Sequence, residues 1–150
     1  MLTPNAVAHF LRHLYVPLAL RRCPVARLIS QEMRARDPDM ALHAEDIAFV
    51  RIMATECLEA IESEPRTMRG STQRSRHSAI LLRYEIKGEP RETVAADLGI
   101  SRRQFYRERE RALQVFTTLL SDRIIAGRLE NSSFGSGSPL FARPIAAEQL

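Results

Sequence analysis

The chain has 150 residues, 45% of them hydrophobic and 27% charged, with a formal net charge of +4. That length allows one domain, or two very small ones, and the apolar share is ordinary for a folded globule. No apolar run approaches the ~20 residues that cross a bilayer, and the N-terminus has no signal-peptide layout.

There is no Trp, and no alternating run of Val, Ile and Thr, so an all-α fold is expected. Cys23 and Cys57 stand in no metal or redox spacing and read as reduced core thiols. The cations are 21 Arg and one Lys, a bias read first as genome composition. They are unevenly placed. Arg66–Arg111 holds 12 basic and 6 acidic residues, a net +6, against −2 for the remainder. A localised basic field is the footprint of a polyanion partner.

Thr3 and Pro4 open a first helix, as cap and first residue. Val7, Phe10, Leu11 and Leu14 give it an apolar stripe, and Pro17 stops it near Tyr15. Pro17–Arg22 is a turn or short helical piece. Pro24 begins another helix, with Val25, Leu28, Ile29 and Met33 inward. Asp37-Pro38-Asp39 is a break. A long helix follows, from Met40 or Ala44 to Ile61, burying Ile47, Val50, Ala54, Cys57, Leu58 and Ile61. Glu56, Glu59, Glu62 and Glu64 crowd its C-terminal end, where the helix dipole disfavours acid. A basic partner surface is one motive for them. Glu64–Gln73, polar with Pro and Gly, reads as a linker. The division expected is an N-terminal helical module (1–64), a linker (65–73), a helix-turn-helix (74–127) and a flexible tail (128–150).

Thr72 caps the next helix, Gln73 to about Ile86, with Ile80, Leu81 and Tyr84 inward. Pro90 takes the first position of a short helix, on which Val94, Ala95 and Leu98 make one apolar side. Gly99 ends it through a left-handed residue. Ile100 plugs the corner. Ser101 caps the following helix and Gln104 completes a capping box. This is the layout of a helix-turn-helix. Phe105, Ala112, Leu113 and Phe116 face inward. Arg102, Arg103, Tyr106 and Arg107 fall mostly on the other side, near the end where recognition helices carry their base-reading and phosphate-binding groups. Leu119, Leu120 and Ile124 continue the stripe to Gly127, so the last helix is extended. Either the N-terminal helices or a second copy must cover those residues. Asn131–Pro139 is a flexible Gly/Ser stretch.

The run ILLRYEIKGEP-RETVAADLGISRRQFYRERERAL resembles the helix-turn-helix of sigma-70 region 4 and the LuxR-type output domains. The likeness covers about 45 of the 150 residues. It departs at Thr93, where the Glu of an E-I-A motif usually stands, with Glu92 one place earlier. It departs again at Arg109, where a core aliphatic is common; the Arg stem is expected to pack while its head reaches water. The resemblance implies a DNA-binding transcriptional regulator of a bacterial-type cytoplasm. Double-stranded DNA is the expected partner, read as a homodimer on two half-sites, with RNA polymerase or a sigma factor as a further partner. Arg102 and Gln104 are the candidates for base edges. Arg91, Arg103 and Arg107 are assigned to phosphates, Ser101 and the N–H groups beside it to a phosphate, and Tyr106 to the same surface.

Other constellations carry less. His9 and His13 share a helix face without a third ligand. Glu45 and Asp46 point apart, Glu45 serving as a first-turn dipole partner. Gly135–Ser138 is no phosphate loop, since no Lys follows. No nucleophilic site, metal or cofactor is expected, and no enzymatic chemistry. The segment HAEDIAFVRIMATECLEAI echoes sigma region 2 but lacks the aromatic residues that stack on unpaired bases. An interaction module for polymerase or a sigma factor, or a degenerate sigma factor, is the alternative reading.

Overall fold

The computed structural model describes residues 2–34, 42–63 and 68–142. These form α-helices and, among the described residues, no strand: α1 (Pro4–Arg12), α2 (Pro17–Arg22), α3 (Pro24–Arg34), α4 (Ala44–Ser63), α5 (Met68–Ile80), α6 (Arg91–Leu98) and α7 (Arg102–Ala142). The break at Asp37–Asp39, residues 64–67 of the linker and the last eight residues of the tail lie outside the described residues.

Local chemistry accounts for most of the boundaries. Thr3 Oγ1 accepts from Ala6 N at 3.2 Å, and Pro4 follows at the first helical position. α1 ends at Arg12 rather than Tyr15, because residues 13–15 turn back toward α2. The Arg51 Nε of α4 donates to the Leu14 carbonyl at 2.8 Å in that turn, giving a partner to a backbone acceptor outside the helix. At the start of α4, Glu45 lies in the first turn, and Asp46 beside it is the capping carboxylate. Its Oδ2 accepts from His43 N at 2.9 Å, and Arg34 Nε of α3 stands 3.3 Å from its other oxygen. Helix α5 begins at Met68, inside the stretch read as linker. The linker's Pro65 precedes that start, so the polar composition of residues 68–73 overstated the gap.

Two apolar cores share α7. The larger gathers Val7, Phe10, Leu11 and Leu14 of α1, Leu20, Val25, Ala26 and Ile29, and the α4 stripe Ile47, Val50, Met53, Ala54, Cys57 and Ile61. Leu81, Ala112, Leu113, Phe116, Leu120 and Ile124 complete it. The smaller core is Ile80, Val94, Ala95 and Phe105, with Tyr84, Leu98 and Ile100 against it. The apolar stripe past Phe116 is therefore covered by this chain's own N-terminal helices, with Leu119 packed against the same cluster. That answers which surface covers it.

α7 passes Gly127 and continues to Ala142, across the stretch read as flexible. A helical glycine costs only ~1 kcal/mol relative to alanine and does not by itself stop a helix. At Gly127 the missing side chain has a packing reason: a Cβ there would lie 2.8 Å from Met33 Cε and 3.2 Å from Met33 Cγ. The glycine lets α7 approach α3.

Because Phe116 is fully buried in the core that joins both halves, Phe116→Ala is expected to cost about 3–5 kcal/mol. A thermal melt followed by circular dichroism should show one transition, shifted down as a whole. Two separable transitions would mean that the halves are held by different cores.

Candidate nucleic-acid interface

The segment that precedes the interface contains a feature the sequence did not announce. After Ile80 the helix widens into a π-helical turn, Leu81–Ile86, in which Lys87 N donates to Leu82 O at 3.0 Å. Such i→i+5 turns are rare and tend to mark constrained places in a helix. In this turn Leu81 and Glu85 are both buried, while Leu82 stays exposed.

Glu85 is fully enclosed, its side chain showing no exposure. A buried carboxylate needs partners, and it has two. Arg109 Nε of α7 donates to Oε1 at 2.7 Å. Arg12 Nε of α1 stands 3.4 Å from Oε2. The stem of Arg109 packs while its half-buried head, still partly in solvent, is tied to the buried carboxylate of Glu85. Beside it on α7, Glu108 is also buried. His77 Nε2 lies 2.8 Å from Glu108 Oε1, and Arg76 Nη2 donates to Oε2 at 3.0 Å. Neighbouring residues on α7 therefore carry opposite charges, each locked to α5 or to the π-helical turn.

A third ionic tie holds the turn into α6. Arg83 Nε donates to both Glu89 oxygens, at 3.1 and 3.2 Å, and its Nη2 donates to Asp97 Oδ2 at 2.6 Å. Gly88, at φ 72°, makes the turn between them. Pro90 is the cap of α6 and Arg91 its first residue, one place later than the sequence reading. At the other end Gly99 has φ 69°; Gly99 N donates to Ala96 O and Ile100 N to Ala95 O, both at 3.1 Å. That is a Schellman ending, with Ile100 folded onto the small core. Ser101 Oγ then accepts from Gln104 N at 3.1 Å and starts α7.

This frame fixes where the predicted contact residues lie. Ser101, Arg102, Arg103, Tyr106 and Arg107 are exposed, and Gln104 is half-buried at the same end of α7. Arg102, Arg103 and Arg107 form no ion pair with any described residue. Arg91 sits across from them on α6. Its Nη1 donates to the Tyr106 hydroxyl and its Nη2 to Glu92 Oε1 at 2.6 Å, with the guanidinium 5.3 Å from the Tyr106 ring centre. Tyr106 in turn meets Phe105 edge to face. The hydroxyl of Tyr106, then Glu92, holds Arg91 firmly charged. The arrangement presents a row of cations on the first turns of α7 and one pre-placed cation on α6.

Residues 71–114 match the homeodomain-like domain family. They span α5, the π-helical turn, α6 and the first part of α7, and the match does not single out sigma region 4 or the LuxR group. A helix-turn-helix lies in the C-terminal half of the chain. No curated protein and no solved structure matches it.

Elsewhere, the His9 and His13 rings lie with centres 4.3 Å apart and tilted by 47°, with His13 Nδ1 bonded to the His9 carbonyl at 2.8 Å. Among the described residues no group of three or more His, Cys, Asp or Glu is gathered as a metal ion would require. Burial pushes the Cys57 thiol up to about 11, so it is protonated at neutral pH. No described helix is long and apolar enough to cross a membrane. Of the acidic residues ending α4, Glu56 accepts from Arg123 of α7 at 2.7 Å.

Glu85→Ala is expected to cost about 1–3 kcal/mol, less than a fully buried pair because Arg12 and Arg109 both reach solvent in part. Denaturant unfolding measures it; an unchanged midpoint would remove Glu85 from its anchoring role. Arg83 holds the Glu89 carboxyl below its ordinary value of 4.5. A depressed folded value contributes stability above the unfolded value and loses it as pH falls through the folded one. The protection factors of the Gly88, Glu89 and Arg91 amides should therefore fall below pH 4.5, and that fall should be absent in Glu89→Gln.

Proposed function

We propose that the protein is a sequence-specific DNA-binding transcriptional regulator whose α7 enters the major groove by its N-terminal end. One observation carries this reading: the three cations Arg102, Arg103 and Arg107 stand exposed on the outward face of a helix-turn-helix. Unpaired guanidinium groups crowded on one helix end repel one another and call for an anion between them. Arginine supplies both a phosphate clamp and a fork that matches the guanine edge.

Arg102 and Gln104 are assigned to base edges. Arg103 and Arg107 hold phosphates, and Arg91, fixed by Tyr106, holds a phosphate on the α6 side. Ser101 and the free N–H groups of the first turn of α7 receive another. A single module makes few contacts, so two copies on two half-sites are proposed. The stripe beyond Phe116 is no longer a motive for pairing, since the N-terminal helices cover it.

Selection from random duplexes identifies the site, and binding is then measured across a salt series. Arg103→Ala should weaken binding to every sequence and lower the salt slope by about one. Arg102→Ala should cost about 1–3 kcal/mol at one base pair and relax preference there. A salt slope unchanged by Arg103→Ala, or no sequence preference in the wild type, would defeat the proposal. Sedimentation showing one copy on a duplex with two half-sites would remove the dimer.

A further inference from the structure

The first acidic residue of the chain is Glu32; the 31 residues before it hold Arg12, Arg21, Arg22 and Arg27 and no Asp or Glu. This second basic region is remote in sequence from the helix-turn-helix and differs from it in kind. It is also apolar on the outside. Leu18 is 75% exposed, Tyr15 60% and Val16 48%. Single exposed apolar residues need no explanation, but these are organised. One groove is lined by His9, His13, Val16, Leu18, Ala19 and Arg22. A second, between α1 and α3, is lined by Leu2, Ala6, Val25 and Leu28 together with Arg22, Arg27 and Gln31. Arg22 thus lines both grooves. Neither Arg21 nor Arg22 forms an ion pair with any described residue, and both are exposed.

We propose that this α1–α3 face is a docking site for an acidic amphipathic helix of a protein partner. Apolar side chains spaced one turn apart would fill the two grooves, as helix-in-groove recognition does. Carboxylates flanking that stripe would meet Arg21 and Arg22. Charge selects this occupant over the others. A two-fold pair centred on Arg21 and Arg22 would bring each near its counterpart, and Glu56, at the acidic end of α4, is already held by Arg123 of the same chain. A duplex gives exposed Leu18 and Val16 nothing to pack on, since phosphate contacts are polar.

The test uses the full-length protein and a displayed library of short amphipathic helices, with a fixed apolar stripe and a polar face varied in charge. Glu- and Asp-rich faces should be enriched, and a soluble peptide from that pool should bind with salt-sensitive affinity in fluorescence anisotropy. Leu18→Asp and the double replacement Arg21→Glu with Arg22→Glu should each weaken it by about tenfold or more. Binding to the selected duplex should be unchanged in both variants, which separates this face from α7. Leu18 is so exposed that its replacement should leave the melting temperature in place. Enrichment of neutral or basic faces, or none, would overturn the proposal, as would peptide binding indifferent to both sets of replacements. So would two other losses on Leu18→Asp: of binding to anionic phosphatidylglycerol vesicles in a protein that takes no peptide, or of self-association.

Discussion

The rest of the structure depends on how α7 is prevented from rotating about its own axis. A helix whose inward stripe is only apolar is held loosely in rotation, because leucine and phenylalanine tolerate many contacts. Here Glu108 is committed to His77 and Arg76, and Arg109 to Glu85. The two residues are adjacent, and they point to different neighbours on the same preceding helix. Rotation in either direction would strand a buried carboxylate, which is far costlier than a slipped methyl group. With α7 so fixed, Arg103, Tyr106 and Arg107 turn to the surface, and Arg102, seven residues before Arg109 and on its side, is exposed at the first position of the helix.

The π-helical turn is part of the same constraint. Within it Leu81 joins the large core, and Glu85, four residues on and on the same side, meets Arg109 and Arg12. Arg12 belongs to α1, so the N-terminal helices and the helix-turn-helix share one ionic node as well as one apolar cluster. A change in how α1 packs would be felt at Arg109, two residues from Arg107. This is the physical link by which anything bound to the N-terminal face could bias the end of α7.

Much of this was legible in the sequence, and the misses have a common cause. Helix starts were readable because Thr3, Pro17, Pro24 and Ser101 act through their own backbone neighbours. The Gly99 ending and the Phe105–Phe116 stripe were readable for the same local reason. The contact residues could be placed on the outward side of α7 because periodicity fixes side. The inward charges could not be found that way. In RERERAL, Glu108 and Arg109 look like any solvated pair, and His77 and Glu85 sit in other helices. Their pairing is a tertiary fact that no window of sequence contains. Gly127 misled for a related reason: it reads as a stop, but its meaning comes from Met33 of α3, distant in the chain. Glu45 was legible as a first-turn acid of α4, whereas the capping role of Asp46 follows from its third helical position, which reaches back to the cap's N–H.

The exposed end of α7 is tested most directly by hydrogen exchange with mass spectrometry, with and without a duplex selected by the protein, at physiological salt. Amides of Ser101–Arg107 and of Arg91 and Glu92 should slow on adding DNA, while the rest of the helical body changes little. Protection confined to Pro17–Arg34, with none gained across Ser101–Arg107, would contradict the assignment of α7 to the duplex.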